Sequence, residues 1–478
     1  MKNNKFWKRA VSMFLVVALA TPMFGCADKE AEETAVTIEP MEIEEVAKYS
    51  FDVIGGSDVM PIFGFYGPVP GEISWDANSL PDYYTDEYFK MFKEVGVNII
   101  GPSMMNYDSV PQYNIKALDL CEKWGLGMLV KDSRILSNDV TVQEVDAYIN
   151  DYANHPAFAG VYMIDEPGAV YFRDHENGTN IDEFKTISKN INELGYFFYG
   201  NLLGMQGNTT YTESDVEAYQ RYVREWVDTC DPKAIFYDRY IFGNNNGLDM
   251  AETYFKTMET VRSVAEESNR PFWVFVEAGN QWNDKTSRFD SNGYYPSQGE
   301  FYWNLGTLLA FGAKGVLYFP LLQPSYYAYA ESELFDFQRN GLIGAWGNKT
   351  RWYHYAKAMN AQIAAVDEVL MNSVNKGVIA SGKDAKEDLS DCKYLMEGTS
   401  FRELAGVSGD AMIGCFNYEG KTALYVVNYD TEYAQKIKLD FAGKYNVTVT
   451  QDAETKHVSG SSLELTLAAG NSALVVFE

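Results

Sequence analysis

The strongest constraint on the fold is an alternation of short apolar runs with amphipathic segments, repeated eight times between about residues 58 and 322. Such an alternation is typical of a parallel α/β fold, because each buried strand must be followed by a helix that covers the sheet. The apolar runs, each predicted to be a strand, occupy residues 61–66, 97–102, 127–131, 160–164, 197–202, 234–240, 272–276 and 315–319.

Helix signals lie between these runs at the expected places. Thr85 precedes apolar residues spaced i, i+3, i+4 and i+7, which puts them on one helix face. Thr141 and Glu144 form a capping-box pattern, in which each side chain can satisfy the other's backbone N–H. Further helices are predicted at 180–195, 249–268 and 299–311.

Eight strand–helix units over about 265 residues match the length of a (β/α)8 barrel, which typically needs about 250 residues. The alternative is a doubly wound sheet, which usually carries a glycine-rich phosphate loop after its first strand. The segment after the first strand, Gly-Phe-Tyr-Gly-Pro at 64–68, is not such a loop. The sequence therefore predicts an α/β TIM barrel over residues 51–372, closed by a helix at 351–370.

The pattern changes after residue 372 to short, alternating apolar segments separated by turn residues. Predicted strands lie at 376–381, 412–418, 421–429, 435–439, 445–451, 463–467 and 472–477. About 105 residues with this pattern favour a small antiparallel β-sandwich, which we assign to residues 373–478.

The first residues resemble an export signal. Lysine and arginine precede an apolar stretch from 10 to 21, which is short for a membrane span, and residues 23–26 read Met-Phe-Gly-Cys. A small residue before Cys26 resembles the processing site of bacterial lipoproteins, which implies lipidation of Cys26 after removal of residues 1–25. The bulky residues before Gly25 leave plain secretion as an alternative. The acidic segment 26–50 is predicted to be a solvated tether.

The net charge and the cysteine and histidine spacing limit the classes of molecule that the protein is expected to bind. The net charge of −28 argues against nucleic acid, which needs clustered lysine and arginine, and leaves a membrane contact only through the N-terminal lipid. The cysteines after Cys26 have no CxxC spacing, and the histidines have no zinc-binding spacing, so no metal or cofactor is implied. Cys392 and Cys415 can pair or remain buried thiols.

Two glutamates follow predicted strands four and seven directly. By period-2 alternation, Glu166 shares a face with Tyr162 and Ile164, and Glu277 shares a face with Trp273 and Phe275. Active sites of this fold lie at the carboxyl ends of the strands, so the two carboxylates are expected to converge at the barrel mouth. Glycosidic cleavage uses such a pair, with one carboxylic acid and one carboxylate.

The segment 155–167, His-Pro-Ala-Phe-Ala-Gly-Val-Tyr-Met-Ile-Asp-Glu-Pro, resembles the fourth-strand motif of the clan A glycoside hydrolases. The resemblance covers about residues 58–370. It implies a retaining enzyme with Glu166 as acid/base and Glu277 as nucleophile. It also implies a tyrosine at the end of strand six that hydrogen-bonds the nucleophile, with Tyr240 first and Tyr237 second, and an aromatic platform on strand eight at Tyr318 or Phe319.

The chain departs from this family at one position. Most members have asparagine before the acid/base, where this chain has Asp165, and an ionised carboxylate cannot donate to a sugar hydroxyl. Asn201, at the end of strand five, is predicted to bind substrate. The residues after strand three, Lys131, Asp132 and Arg134, fit solvated loop positions better than a sugar site. His155 is predicted to cap or pack below the site.

Aromatic residues are concentrated in the segments after strands seven and eight, where a glycan would lie. Sugar rings stack their C–H faces on aromatic rings, so these positions favour a carbohydrate groove. They are Trp282, Tyr294, Tyr295, Tyr326, Tyr327 and Tyr329.

Together these patterns predict a cell-surface hydrolase of neutral, β-linked glycans. Two alternatives stay open. One is a non-catalytic glycan-binding lipoprotein on the same barrel, and the other is a different barrel hydrolase, such as a deacetylase or a metal-dependent enzyme.

Overall fold

A computed structural model of the chain describes residues 36–71, 81–102, 111–167, 181–205, 213–241, 251–279, 282–283, 288–289, 296–323, 341–344 and 346–478. Several predicted features lie outside these residues: the signal segment with Cys26, and five of the six aromatic positions proposed for a groove, which are Tyr294, Tyr295, Tyr326, Tyr327 and Tyr329.

The predicted barrel is confirmed. Eight parallel strands close in the order β1-β10-β7-β6-β5-β4-β3-β2, and a short hairpin of β8 and β9 follows β7. The strands are β1 (Ile62–Gly64), β2 (Ile99–Ile100), β3 (Gly127–Val130), β4 (Phe158–Asp165), β5 (Phe198–Leu203), β6 (Ile235–Asp238), β7 (Phe272–Glu277), β8 (Trp282–Asn283), β9 (Arg288–Phe289) and β10 (Val316–Phe319).

Helices alternate with these strands as the amphipathic pattern predicts. They are α1 (Asp86–Glu94), α2 (Pro111–Trp124), α3 (Val142–Ile149), α4 (Lys185–Glu193), α5 (Glu213–Cys230), α6 (Ala251–Glu267), α7 (Gln298–Ala310) and α8 (Arg351–Ala364). The predicted capping box forms at α3, where Thr141 Oγ1 accepts from Glu144 N at 3.3 Å and Glu144 Oε2 accepts from Thr141 N at 2.8 Å. These bonds satisfy donors that the first helical turn leaves unpaired.

Aromatic side chains fill the barrel interior. Phe63, Phe197 and Trp273 surround Phe51, whose ring centroid lies 4.8 Å from that of Phe197 and 5.8 Å from that of Trp273. Phe51 precedes β1 and contacts the residues that begin β5 and β7, so it closes the amino-terminal end of the barrel. Active sites of this fold lie at the opposite end of the barrel, where the strands finish.

The predicted C-terminal antiparallel β-sandwich is also confirmed. Its strands follow the order β11-β13-β14-β17-β15-β12, with β16 paired to β15. The elements are α9 (Asp367–Met371), β11 (Ser373–Ser381), α10 (Lys383–Asp388), β12 (Leu404–Ser408), β13 (Ala411–Tyr418), β14 (Lys421–Asn428), β15 (Gln435–Gln451), β16 (Glu454–Leu467) and β17 (Ser472–Phe477). The two predicted strands at 435–439 and 445–451 are one strand, because β15 continues through an irregularity between Asp440 and Tyr445.

Helix α7 joins the barrel to the sandwich. Its residues from Gly299 to Ala310 are all buried, since the helix has β7 on one side and β13 and β14 on the other. A Cβ atom on Gly299 would lie 2.0 Å from the Thr431 carbonyl oxygen, so only glycine permits this approach. The four cysteines of the described residues, including Cys392 and Cys415, are buried free thiols.

The described part of the predicted tether is not solvated. Val36 N donates to Lys444 O at 2.8 Å, Met41 N donates to Gly420 O at 2.7 Å, and Glu44 pairs with Lys376 at 2.9 Å. Residues 36–48 therefore lie along the sandwich before the chain enters the barrel at Phe51. Acidic composition predicted solvation, but backbone hydrogen bonds and the Lys376 ammonium hold this segment in place.

Candidate active site

The end of β4 carries a bulge that changes the predicted face of Glu166. The pairing of β4 with β5 shifts register between Tyr162 and Ile164, so that Tyr162 packs inside the barrel while Ile164 packs against the helix layer. The prediction that Glu166 continues the face of Tyr162 and Ile164 was wrong, because the extra residue breaks the alternation. Asp165 takes the inward position, and Glu166 follows at the strand end.

Backbone geometry at Glu166 is unusual for a side-chain-bearing residue. Its φ is 48°, in the left-handed region, and its amide donates to Asn201 O at 2.9 Å. A non-glycine residue in this region costs about 1 kcal/mol, and residues held this way cluster at functional sites. The bulge and the bond to β5 together hold Glu166, which is partly buried, at the barrel mouth.

Asp165 is held by two donors from β5. Its Oδ1 accepts from Asn201 Nδ2 at 3.1 Å and from the Tyr199 hydroxyl at 3.4 Å. Burial, with a smaller contribution from the charge of Glu166, nevertheless raises the pKa of Asp165 to about 7. At neutral pH this carboxyl therefore exists in both forms, and its protonated form can donate a hydrogen bond.

The raised pKa of Asp165 makes folding stability depend on pH. Its ordinary pKa is 3.8 and its folded value is about 7, so the folded chain binds a proton that the unfolded chain releases between these values. The free energy of unfolding should therefore fall as pH rises from about 4 to about 7. Asp165→Asn removes this titration, so we expect its unfolding free energy to fall less over this range. Urea denaturation of both proteins at several pH values tests this; an equal decline in both contradicts it.

A third carboxyl, Asp238 at the end of β6, lies beside these two. Its side chain is 3% exposed, and burial raises its pKa well above the usual range, with further contributions from the charges of Glu166 and Asp165. Asp238 is not among the site residues predicted from the sequence. A period-2 count from Phe236, which faces the barrel interior, places it on the inner face and could have found it.

Tyr240 lies near the carboxyl groups at the ends of β4, β6 and β7. Its ring packs 5.4 Å from the ring of Phe319, centroid to centroid. Burial raises the pKa of Tyr240 well above its usual range, and the charges of Asp238, Asp165, Glu166 and Glu277 add to that shift in this order. All four carboxyls therefore lie within electrostatic range of one hydroxyl. Tyr237 instead points into the helix layer, where Tyr254 and Tyr219 lie near its hydroxyl.

Glu277 ends β7 on the predicted face. Trp273 and Phe275 pack inside the barrel at the preceding alternate positions, and Glu277 is 4% exposed. The next residue, Ala278, donates its amide to Phe319 O at 2.7 Å, which fixes the strand end against β10. The register of β7 with β10 is regular from Val274 to Glu277, so period-2 alternation keeps Glu277 on the face of Trp273 and Phe275.

Of the two platform candidates on β10, the structure brings Phe319 to the mouth. Phe319 contacts the rings of Phe65, Tyr66 and Tyr240 at 5.4 to 6.2 Å between centroids. Tyr318 points the other way, into the helix layer, and its hydroxyl donates to Asn360 Oδ1 at 2.6 Å. Tyr318 and Tyr237 are therefore excluded from the mouth, since neighbouring strand residues face opposite sides of the sheet.

The residues after β3 divide between two roles. Lys131 lies over the Tyr162 ring at 5.6 Å, and its charge reaches Asp165. Asp132 is fully buried and accepts from Arg134 Nη2 at 2.6 Å and from the Tyr152 hydroxyl at 2.7 Å. The expectation of solvated loop positions was therefore wrong for Asp132, because its charge is paired inside the protein.

His155 lies at the opposite end of β4, as predicted. Its Nδ1 accepts from Ala157 N at 3.1 Å, and its Nε2 lies 3.2 Å from Asp119 Oδ1. It therefore caps the start of the strand and takes no part in the mouth. The remaining aromatic position, Trp282, begins the hairpin strand β8, which pairs with β9.

Within the described residues, no group of three or more histidine, cysteine or acidic side chains is arranged to hold a metal ion. None of the helices in the described ranges combines the length and apolar character needed to cross a bilayer.

No protein-family model and no curated protein matches the chain. Among solved structures, it is similar to a β-galactosidase from the psychrophilic Marinomonas ef1, with 12% identity, a TM-score of 0.45, and coverage of 69% of this chain and 65% of that chain. It is also similar to an exo-β-1,4-mannosidase from an Opitutaceae bacterium, with 13% identity, a TM-score of 0.44, and coverage of 71% and 64%. The chain thus spans less than two thirds of each of these two proteins.

A third similar structure is a putative α-L-fucosidase from Bacteroides thetaiotaomicron, with 12% identity and a TM-score of 0.40. That match covers 67% of this chain and 98% of the fucosidase. All three similar structures are named as glycosidases, the third as a putative one.

Proposed function

We propose that the protein is a retaining glycoside hydrolase that cleaves β-linked neutral glycans. The observation that carries the proposal is the pair of glutamates at the ends of β4 and β7, both within electrostatic range of the Tyr240 hydroxyl. One carboxylic acid and one carboxylate at the mouth of a closed barrel supply the groups that glycosidic cleavage needs.

In the proposed mechanism Glu277 attacks the anomeric carbon while Glu166 protonates the departing glycosidic oxygen. Glu166 then removes a proton from the water that releases the sugar from Glu277. Glu277 is the more enclosed of the two, which suits a group that must stay close to the sugar ring. Glu166 is partly buried at the rim, where leaving group and water can both reach it.

The surrounding residues bind and orient the sugar in this proposal. Asn201 Oδ1 is buried and receives no hydrogen bond from any donor in the described ranges, so it can accept one from a substrate hydroxyl. Asp165 can donate or accept beside it, and Phe319 offers an apolar ring to a C–H face. The acidic surface favours neutral over acidic glycans, since like charges repel.

We also propose a cellular location for the protein, based on the pattern of its N-terminal residues. Export directed by residues 1–25 and lipidation of Cys26 would anchor the enzyme at the bacterial surface, with plain secretion as the alternative.

The test is a screen of β-linked oligosaccharides with the wild type and the variants Glu166→Ala and Glu277→Ala. The proposal expects sugar release by the wild type and loss of release by both variants. Equal release by all three proteins, or release by none, contradicts it. Isothermal calorimetry with the same oligosaccharides separates the alternatives, because a non-catalytic glycan-binding protein would bind without releasing sugar.

A further inference from the structure

Asp238 is the carboxyl at the mouth that the two-glutamate mechanism does not use. It lies at the end of β6 with 3% of its surface exposed, and its Oδ1 receives no hydrogen bond from any donor in the described part of the chain. A buried, charged carboxylate oxygen that accepts no hydrogen bond lowers the stability of the folded protein. A neutral carboxyl group in the same place costs much less free energy.

Among the described residues, the groups within electrostatic or hydrogen-bonding range of Asp238 belong to β4, β5, α5 and the segment after β6. They are Asp165 and Glu166 of β4, Tyr199 and Asn201 of β5, Tyr222 of α5, and Tyr240 beyond β6. None of these groups is cationic at neutral pH, and two of them are acidic. The set therefore favours a proton on Asp238.

The cationic side chains of Arg239 and Lys131 contact groups other than Asp238. Arg239 follows Asp238, but its guanidinium donates to Thr253 Oγ1 at 2.9 Å and to Tyr240 O at 3.1 Å, on the helix side of the sheet. Lys131 lies over Tyr162 on β4, beside Asp165. Asp238 thus keeps acidic neighbours. Its side chain lies within hydrogen-bonding reach of the Glu166 side chain and of the Asn201 amide, and burial outweighs the effect of the amide.

We propose that Asp238 is a positioning residue for Glu166: it keeps its proton and donates a hydrogen bond to the Glu166 carboxylate when Glu166 is ionised. The role in turnover rests on the proposed function. Glu166 gives its proton to the leaving oxygen, accepts the O–H of Asp238 while the sugar is bound to Glu277, and then takes a proton from water. Asp238 ends the cycle with the proton it began with.

The protonation of Asp238 can be measured without a substrate. Infrared spectra at about pH 8 should show the C=O stretch of a protonated carboxyl in the wild type, because an ordinary aspartate is fully ionised there. Asp238→Asn should remove this band. Asp165→Asn is the matched control and should keep it, since Asp165 is largely ionised above a pKa of about 7. Absence of the band in the wild type, or its persistence in Asp238→Asn, overturns the proposal.

Kinetics test the role of the hydrogen bond. Asp238→Asn retains a donor, so its kcat should stay within about 3-fold of the wild type, whereas Asp238→Ala should lose about 10- to 100-fold in kcat with little change in KM. If both variants lose activity equally, a protonated donor is not what Glu166 requires. If Asp238→Ala does not fold, the asparagine variant and the infrared band decide the question. Unchanged activity of Glu277→Gln would instead contradict the proposed function and leave the infrared result standing.

Discussion

Glu277→Gln is expected to eliminate turnover of any glycoside that the wild type cleaves, with a loss of about 10⁴-fold or more in kcat. Glutamine keeps the size of the side chain but is a very poor nucleophile, so the bond to the anomeric carbon cannot form. Because Glu277 is only 4% exposed and lies at the end of a strand whose Trp273 and Phe275 pack inside the barrel, the shape-conserving variant should leave the barrel interior intact. The measurement is kcat on the best substrate from the screen, with circular dichroism to verify folding.

A second buried glutamate provides a matched control for this variant. Glu300 is 5% exposed and lies in the first turn of α7, where its carboxylate accepts from Ser297 N at 2.7 Å as part of a capping box. Glu300→Gln retains an acceptor at this position and should leave kcat unchanged. A comparable loss in both variants would attribute the effect of Glu277→Gln to structure and not to a missing nucleophile.

Chemical rescue distinguishes a nucleophile from a residue that only binds substrate. In Glu277→Ala, azide can enter the space left by the carboxylate and attack the anomeric carbon directly. The product should be a glycosyl azide of inverted configuration, because one displacement replaces two. Failure of azide to restore any turnover, or a product of retained configuration, contradicts the assignment of Glu277.

The sequence predicted the strands, helices and strand ends well, because hydrophobic alternation reports burial directly. Glu277 lies on the predicted face for this reason: β7 is regular, so counting by two from Trp273 gives the correct side. The same count failed on β4, where the register shift after Tyr162 moves Asp165 to the inward position. A bulge depends on the pairing with the neighbouring strand, which one segment's sequence does not encode.

The choice between neighbouring aromatic residues could not be made from the sequence either. Tyr318 and Phe319 are adjacent, and the apolar run that contains them is buried on both faces, so either residue could face the barrel axis. The structure decides through Asn360 on α8, which accepts a hydrogen bond from Tyr318 and draws it outward. Asp238 was missed because a single acidic residue inside a strand end has no motif.

The acidic N-terminal segment is a case in which composition predicted the wrong surroundings for the chain. Its residues from 36 to 48 have the composition of a solvated tether, yet two of their backbone amides donate to the carbonyl oxygens of Lys444 and Gly420 in the sandwich. Backbone hydrogen bonds do not depend on side-chain polarity, so composition gives little warning of them. The pairing places Phe51 at the closed end of the barrel, which links this segment to the packing beneath the site.

Glu166→Ala is expected to show a loss that depends on the leaving group. For an oligosaccharide, whose departing alcohol needs a proton, kcat/KM should fall by about 10³- to 10⁴-fold. For an aryl glycoside with an acidic phenol as leaving group, kcat/KM should fall by less than about 10-fold, because departure of a phenolate needs little protonation. Steady-state kinetics on both substrates measure the difference between the two losses.

The same variant separates an acid/base role from a structural one. Once an aryl glycoside has formed the sugar–Glu277 intermediate, its hydrolysis lacks the general base, so azide should accelerate turnover and give a glycosyl azide of retained configuration. The products of Glu166→Ala and Glu277→Ala should thus have opposite anomeric configurations, which loss of folding cannot produce. Equal losses on both substrates, with no effect of azide, would show that Glu166 has a structural role at the barrel mouth and transfers no proton. In that case the left-handed backbone at Glu166 and its bond to Asn201 would serve the turn after β4 and not proton transfer.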